Sequence, residues 1–465
     1  MKKILFFFAL SCGTTPFLFA QKSMDSLKID AKVWSKDENK QVHYSDWGTY
    51  SAITPDRLKD FDYTAKPVKK NKYGGTGKPI DATGFFHTKK VNNRWYVIDP
   101  LGCITYITAV NSIRTAKASP LPQKYKDNND WASQTLTELS MLGFNTAGCW
   151  SDVDAIIEYN RHSSTPVAYT IQLNLLSNYA TDAKRKNPER KKQSTLSFLL
   201  DESFPSFCAN AAMELNKTNT DPNLLGIFSD NELPFTTNEL KNILAEKNES
   251  DKCYIALKEF LKQQQVDENA MTKEQQKVFL GKLAYTYYST VSNAIKTADK
   301  NHMYIGSRIH SNAKNNEFLF KAASPFIDII SINYYGDWQP RDEYLENWSN
   351  WSDKPFFITE FYTKAAETGM SNMSGAGWIV RTQEDRGIHY QNFCLQLLKT
   401  PQCVGWHWFR YQDNDPNDTK ADDSNKDSNK GIVNIGYETY KPLAEKMKSI
   451  NTRVYDLINY FDKKK

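Results

Sequence analysis

No stretch of this 465-residue chain stays apolar long enough for a membrane helix, which needs about 18 or more consecutive positions. It has no glycine-rich phosphate loop ending in Lys-Ser or Lys-Thr, no dinucleotide fingerprint and no Gly-x-Ser-x-Gly elbow. That removes the common nucleotide, nicotinamide and serine-hydrolase readings. Cysteine is scarce. After Cys12, the six that remain (Cys103, Cys149, Cys208, Cys253, Cys394 and Cys403) form no Cys-x-x-Cys pair and no Cys/His cluster. A disulfide scaffold and a structural zinc site are therefore not indicated, and buried free thiols are the expected state. His407 has no second histidine or carboxylate at ligand spacing, so no catalytic zinc is expected there either. Charge of one sign is also lacking: the net charge is +5, and Lys2 and Lys3 supply two of it. So slight an excess does not argue for nucleic acid as a partner. No repeat of fixed period is present.

What the chain has is aromatic surface: 25 Tyr, 25 Phe and 11 Trp, flat faces that suit sugar rings or a large core. Lys2 and Lys3 precede an apolar run from Ile4 to Leu10, and a second apolar patch ends at Ala20. A basic start, a short apolar stretch and a small residue before Gln21 read as a secretory leader, so export to the periplasm or medium is expected. A lipid anchor on Cys12 is the alternative, but Ala9-Leu10-Ser11 fits a lipobox poorly. Residues 21–82 are polar with scattered aromatics and read as a small extended or β appendage.

From residue 83 onward, short apolar strands alternate with amphipathic stretches, the pattern of a parallel sheet wound with helices. Eight strands are expected: 104–110, 144–149, 167–173, 224–229, 303–308, 327–333, 356–360 and 404–409. Helices are expected at 130–142, 206–217, 252–264, 273–300, 383–399 and 442–459. Eight strands with crossovers fit an α/β fold of the (β/α)₈ TIM-barrel type, whose chemistry sits on the loops after the strands. Polar groups do accumulate at the strand exits: Asn111, Trp150-Ser151-Asp152, Asn174, Asp230-Asn231-Glu232, Arg308 with His310, Asn333-Tyr334-Tyr335, Glu360, and His407-Trp408 with Arg410.

Two of these are glutamates at the fourth and seventh exits. Cleaving a glycosidic bond with retention needs two carboxyl groups about 5–5.5 Å apart, one a proton donor and one a nucleophile. Strands four and seven lie on nearly opposite sides of an eight-strand ring, so Glu232 and Glu360 can converge over its mouth. Period-two alternation predicts Phe228, Asp230 and Glu232 on one face, and Phe356, Ile358 and Glu360 on one face. Asn231 is placed to bond a sugar hydroxyl. Tyr335, sharing a face with Ser331 and Asn333, and Arg308 are candidates to keep one carboxylate ionised. Trp150, Trp338 and Trp408 can offer indole faces to sugars, and core packing is the competing use. His310 and His407 can donate to sugar hydroxyls, or be structural. The basic run Lys184–Lys186 with Arg190–Lys192 is expected in a loop on the catalytic rim, where it would steer an acidic polysaccharide or simply be solvated. Asp413, Asp415 and Asn417 start like a calcium loop, but Asp418 and Ser424 stand where its glycine and final glutamate belong.

Asn231-Glu232 and Ile358-Thr359-Glu360 resemble the two catalytic motifs of the retaining clan A glycoside hydrolases. The series 93–102, 109–112, 142–146, 150–152, 230–234 and 306–308 extends that resemblance to the β-agarases of glycoside hydrolase family 50. The resemblance implies Glu232 as acid/base, Glu360 as nucleophile, a β-linked galactose substrate and no cofactor. Against the agar substrate stand a chain short for such an agarase and an amino-terminal region that does not look like a large carbohydrate-binding β domain. The alternatives are the same mechanism on another β-linked glycan, or a non-catalytic glycan-binding barrel.

Overall fold

The computed structural model describes residues 26–37, 42–116 and 120–464. The leader and Cys12 lie outside the described residues. Eight parallel strands make one sheet: β1 Ile107–Val110, β2 Thr146–Ala147, β3 Ala168–Gln172, β4 Leu224–Phe228, β5 Met303–Tyr304, β6 Ile330–Asn333, β7 Phe356–Glu360 and β8 Cys403–Trp408. Their order is β5-β4-β3-β2-β1-β8-β7-β6. The ring closes just past β5, where Ile309 pairs with Ile332 of β6. The fold is a TIM-type barrel with small amino-terminal β-sheets.

Alternation sorts the apolar side chains into two layers. Ile107, Ala109, Leu225, Phe228, Met303, Ile305, Ile329 and Phe357 fill the barrel interior. Val110, Leu224, Tyr304, Ile330, Ile332, Phe356, Ile358 and Trp406 face the surrounding helices. A side chain at Gly405 would put its Cβ 2.5 Å from the Ile107 carbonyl oxygen, so only glycine lets β8 approach β1 this closely.

The expected strands are found, with one division. Residues 104–105 leave the first strand and pair antiparallel with Val97 and Ile98 in a three-stranded sheet. That sheet puts Phe86 and Val97 into the interior cluster, at the end of the barrel opposite the strand exits. The helix over 252–264 falls at Lys252–Gln264, and the longest spans Lys273–Ala298 behind a Thr272–Gln275 capping box. The expected helix over 442–459 is two, Lys441–Asn451 and Val454–Lys463. At the break, buried Asn451 accepts from Tyr390 and donates to the Leu142 carbonyl. These tertiary bonds hold the chain at the point where periodicity alone would continue it.

The basic run is not on the catalytic rim. Leu175–Lys186 is a helix that starts directly after β3, with Lys184, Arg185 and Lys186 in its last turn, a dozen residues from the strand exit. Leu175, Leu176 and Ala180 bury one side of it. Arg185 and Lys186 pair with Asp182, and Arg190 lies over the Phe198 ring and pairs with Asp201.

The amino-terminal strands are joined to the barrel. Leu27–Lys32 pairs with Gly48–Ala52 on one side and with Trp378–Val380, from the segment after β7, on the other. A hairpin, Trp34–Lys36 with Val42–Tyr44, reaches over the strand exits. All six cysteines in the described residues are buried free thiols.

Candidate active site

A cavity of about 1310 Å³ opens at the carboxyl ends of the strands. That exceeds the ~300–1,000 Å³ of a typical small-ligand site and leaves room for several sugar residues. Glu232 and Glu360 both line it, with Asn231, His310, Tyr335 and Trp150.

Glu360 reaches the cavity by a route that alternation does not foresee. Phe356 and Ile358 belong to the outer layer, so strict parity would send Glu360 outward too. The β6–β7 register shifts between Ile332/Ile358 and Asn333/Glu360. This irregularity inserts Thr359 and turns Glu360 inward, a common use of a bulge beside an active site. Its side chain is only 6% exposed. Arg308 Nη1 donates to Oε1 at 2.7 Å, and the Tyr335 hydroxyl donates to Oε2 at 2.6 Å. Burial raises the Glu360 carboxyl above the ordinary carboxylate range, the Arg308 charge pulls it down, and the Glu232 charge raises it again. An arginine that stays charged and a phenol that donates both favour the carboxylate form.

Glu232 also departs from parity. β4 ends at Phe228, and Ser229 and Asp230 both turn outward to hydrogen-bond Tyr287. Asp230 accepts from the amides of Leu176 and Ser177 as well, at the start of the helix after β3. Glu232 then swings into the cavity through a left-handed backbone, φ +52°. Trp150 at +61° and Ser112 at +58° do the same after β2 and β1. Such conformations cost of order 1–3 kcal/mol each and cluster where side chains must be aimed. The Glu232 side chain is 31% exposed, and its Oε2 is 3.6 Å from His310 Nδ1. Asn333 Nδ2 donates to its Oε1 at 2.8 Å. Burial raises the Glu232 carboxyl, while Asn333 and Arg308 hold it down.

Asn333 ties the two carboxylates together. Its amide nitrogen serves Glu232 and Asn231, and its oxygen accepts from Thr359, the residue before Glu360. Arg308 is fully buried with its guanidinium 4.1 Å from the Trp150 ring centroid. Its Nε and Nη2 have no hydrogen-bond partner among the described residues.

Arg308 and Asn333 thus sit behind the carboxylates rather than on the cavity surface, and four further expected residues do not line it either. Asn111 is buried and donates to the Thr359 carbonyl at 2.8 Å, pinning the backbone beside Glu360. His407 lies below the cavity, against Phe357 and Asn111. Burial, then the Arg308 charge, pushes its imidazole down to about 3, so it is neutral and faces protein. Trp408 points outward, donating to the Lys430 carbonyl and packing on Phe361 and Tyr390. Trp406 does likewise, so neither tryptophan floors the site; on β8 the inward side chain near the exit is His407. Trp338 donates to the Ser51 carbonyl and packs among Tyr50, Trp378 and His389, in the sheet built with the amino-terminal strands.

Sequence reasoning also missed much of the lining. Arg114, Tyr362 and Phe409 lie one to four residues past strand exits, and that offset was the available signal. Lys430 closes the polar stretch 413–430, whose composition reads as solvent-exposed loop. Trp34 and Val42 come from the amino-terminal hairpin, with no local signal at all.

The sequence matches no family model. It is 24% identical to beta-agarase B of Vibrio sp. (strain JT0107), over 83% of this chain and 50% of that protein. The chain thus spans about half the length of that curated relative. Among solved structures, that of BpGH50 superposes with a TM-score of 0.84 at 30% identity, covering 94% of this chain and 96% of that one. An exo-beta-agarase structure shares the fold at a TM-score of 0.67 and 18% identity, over 86% of this chain and 69% of that one.

Proposed function

Because the chain belongs to glycoside hydrolase family 50, we propose that it hydrolyses β-linked galactose chains of the agar type by double displacement, with retention at the anomeric carbon. The observation that carries the reading is the pair of unlike carboxylates in one cavity. Glu360 is buried against a cation and a phenol, and Glu232 is partly open, held by the neutral Asn333 amide and beside His310.

In the first step a Glu360 oxygen bonds to the anomeric carbon as the glycosidic bond breaks, and Glu232 gives its proton to the departing oxygen. In the second, Glu232 takes a proton from water, whose oxygen displaces Glu360. A carboxyl raised by burial suits the proton donor. Two charge-assisted donors on Glu360 suit a group that must start and end as an anion. The likeness to beta-agarase B supports galactan as the substrate class. Export directed by residues 1–20 belongs to the same proposal, and a mature chain starting at Gln21 in the periplasm or medium tests it.

The chemistry is tested by two variants on agar-derived oligosaccharides. Glu232→Gln removes the proton donor and lowers kcat by about 10²–10⁴. Glu360→Ala loses turnover and regains it with azide, giving a glycosyl azide of inverted configuration. An azide product of retained configuration would remove Glu360 from its role, and full activity in Glu232→Gln would remove Glu232.

A further inference from the structure

Apart from the carboxylate pair, the cavity gathers three cations on one side, where Asp422 and Asp423 also line it. Arg114 follows β1, Arg410 follows β8, and Lys430 closes the segment after β8; all three line the cavity. Strands β1 and β8 are neighbours in the ring, so these cations gather on one side, with Glu232 on β4 across the mouth. Among the described residues, neither guanidinium makes a hydrogen bond or an ion pair, and Arg410 Nε is buried without a partner. Lys430 Nζ is held by neutral acceptors alone, the Ser424 carbonyl and Asn425 Oδ1.

The acids nearby are engaged elsewhere. Asp422 accepts from the Ser424 amide and hydroxyl and from Asn425, and Asp423 pairs with Lys426. Asp413 accepts from Asn429, Gly431 and Tyr440. Asp413, Asp418 and Asp422 act on these cations from a distance, but among the described residues none of them makes an ion pair with one, and cations gathered this closely are costly unless a ligand brings a nearer counter-ion. Burial, then the Arg410 charge, pushes Lys430 down to about 7 against the pull of Asp422 and Glu360, and burial, then the Arg114 charge, pushes Arg410 down to about 10 against Asp413, Asp422 and Asp418.

We infer that the β8–β1 side of the cavity is a subsite for an anionic substituent on the sugar chain, a sulfate ester or a carboxylate, received by Arg114 and Arg410 over Lys430. A guanidinium presents a planar fork that matches either group. The subsite rests on the galactan-hydrolase reading and narrows it to acidic or sulfated chains.

The test measures kcat/KM of the full chain on three β-galactan oligosaccharides: a neutral one, one carrying a sulfate ester and one carrying a uronate. Wild type is expected to prefer a charged substrate, and the two charged arms decide which anion fits. Arg114→Met and Arg410→Met should each lower the charged-to-neutral ratio by about tenfold or more. Preference for the neutral substrate by wild type, or a ratio unchanged in both variants, overturns the subsite. Arg114→Met keeps the test open if Arg410→Met does not fold. If wild type cleaves none of the three, the hydrolase reading falls and calorimetry decides the subsite separately. Binding of a charged oligosaccharide that weakens about tenfold in Arg114→Met supports the subsite; absent or unchanged binding overturns it.

Discussion

The cavity has two kinds of wall. One is built from the strand exits of β4 to β7, where Glu232, Arg308, Asn333, Tyr335 and Glu360 are locked to one another by hydrogen bonds. The other is a rim of added segments: the hairpin ending at Tyr44, residues 373–376, and residues 422–425 with Lys430 from the stretch after β8. Backbone carbonyls and a single buried lysine hold much of this rim. Lys364 donates to the Tyr44 hydroxyl and to the carbonyls of Asn372, Ser374 and Gly375. The contrast assigns rates to the first wall and substrate choice to the second. Side chains on barrel strands can hold reacting atoms to a fraction of an ångström, whereas loops vary without disturbing them.

The division is broken most sharply at Arg308. Arg308→Met should lower kcat by about 10²–10³-fold, since it removes the fixed cation beside Glu360, the proposed nucleophile. It should also cost about 3–5 kcal/mol of stability by stranding Glu360. Arg308 holds the Glu360 carboxyl down, so its loss raises that group further. The acid limb of kcat/KM then moves to higher pH. An acid limb that stays in place would mean that Arg308 does not set the ionisation of Glu360. Tyr335→Phe is a milder cut at the same wall. It removes one donor from Glu360 and should lower kcat about tenfold, with KM little changed.

Lys364→Met tests the rim. It should raise KM several-fold, about what the loss of one or two hydrogen bonds brings, and leave kcat near wild type. A fall in kcat with constant KM would show that the rim reaches into the chemistry and that the two walls are not separate. Gly375, in the stretch anchored by Lys364, lies against the Lys430 side chain, so the same variant should weaken any preference for charged substrates.

The two walls were also unequally legible. Strand exits follow from hydrophobic patterning, and Glu232, Glu360, Arg308 and Tyr335 could be placed near one another on that basis alone. How they get there could not. A bulge at Thr359 and a left-handed Glu232 set the aim, and neither leaves a mark in composition. Parity read straight through these positions put Glu360 on the face of Ile358; for Trp408 it left a sugar-facing ring and core packing both open, and the structure turns the ring outward. Trp338 failed for another reason: its partners Ser51 and Tyr50 are nearly 290 residues away in the chain, so no local pattern could reveal them. The rim was illegible throughout, because Lys430 and Trp34 enter the cavity only through long-range pairing.

The smallest effect sharpens the first wall. Asp230 does not touch the cavity, but it fastens the β4 exit to the helix after β3 through the amides of Leu176 and Ser177 and to the Tyr287 hydroxyl. Burial raises its carboxyl from 3.8 to about 6 against the pull of those donors. The native state therefore prefers the protonated acid. That preference adds stability which is full below about 3.8 and is lost as pH rises through about 6. Asp230→Asn removes the titration. The stability of wild type relative to this variant should therefore decline between those two pH values and level off above them, read from urea midpoints across the range. A flat difference would mean that the carboxyl titrates normally and that the donors around it outweigh burial. In that case the β4 exit is held by a fully charged anchor at every working pH, and the rigidity of this wall rests on electrostatics more than on packing.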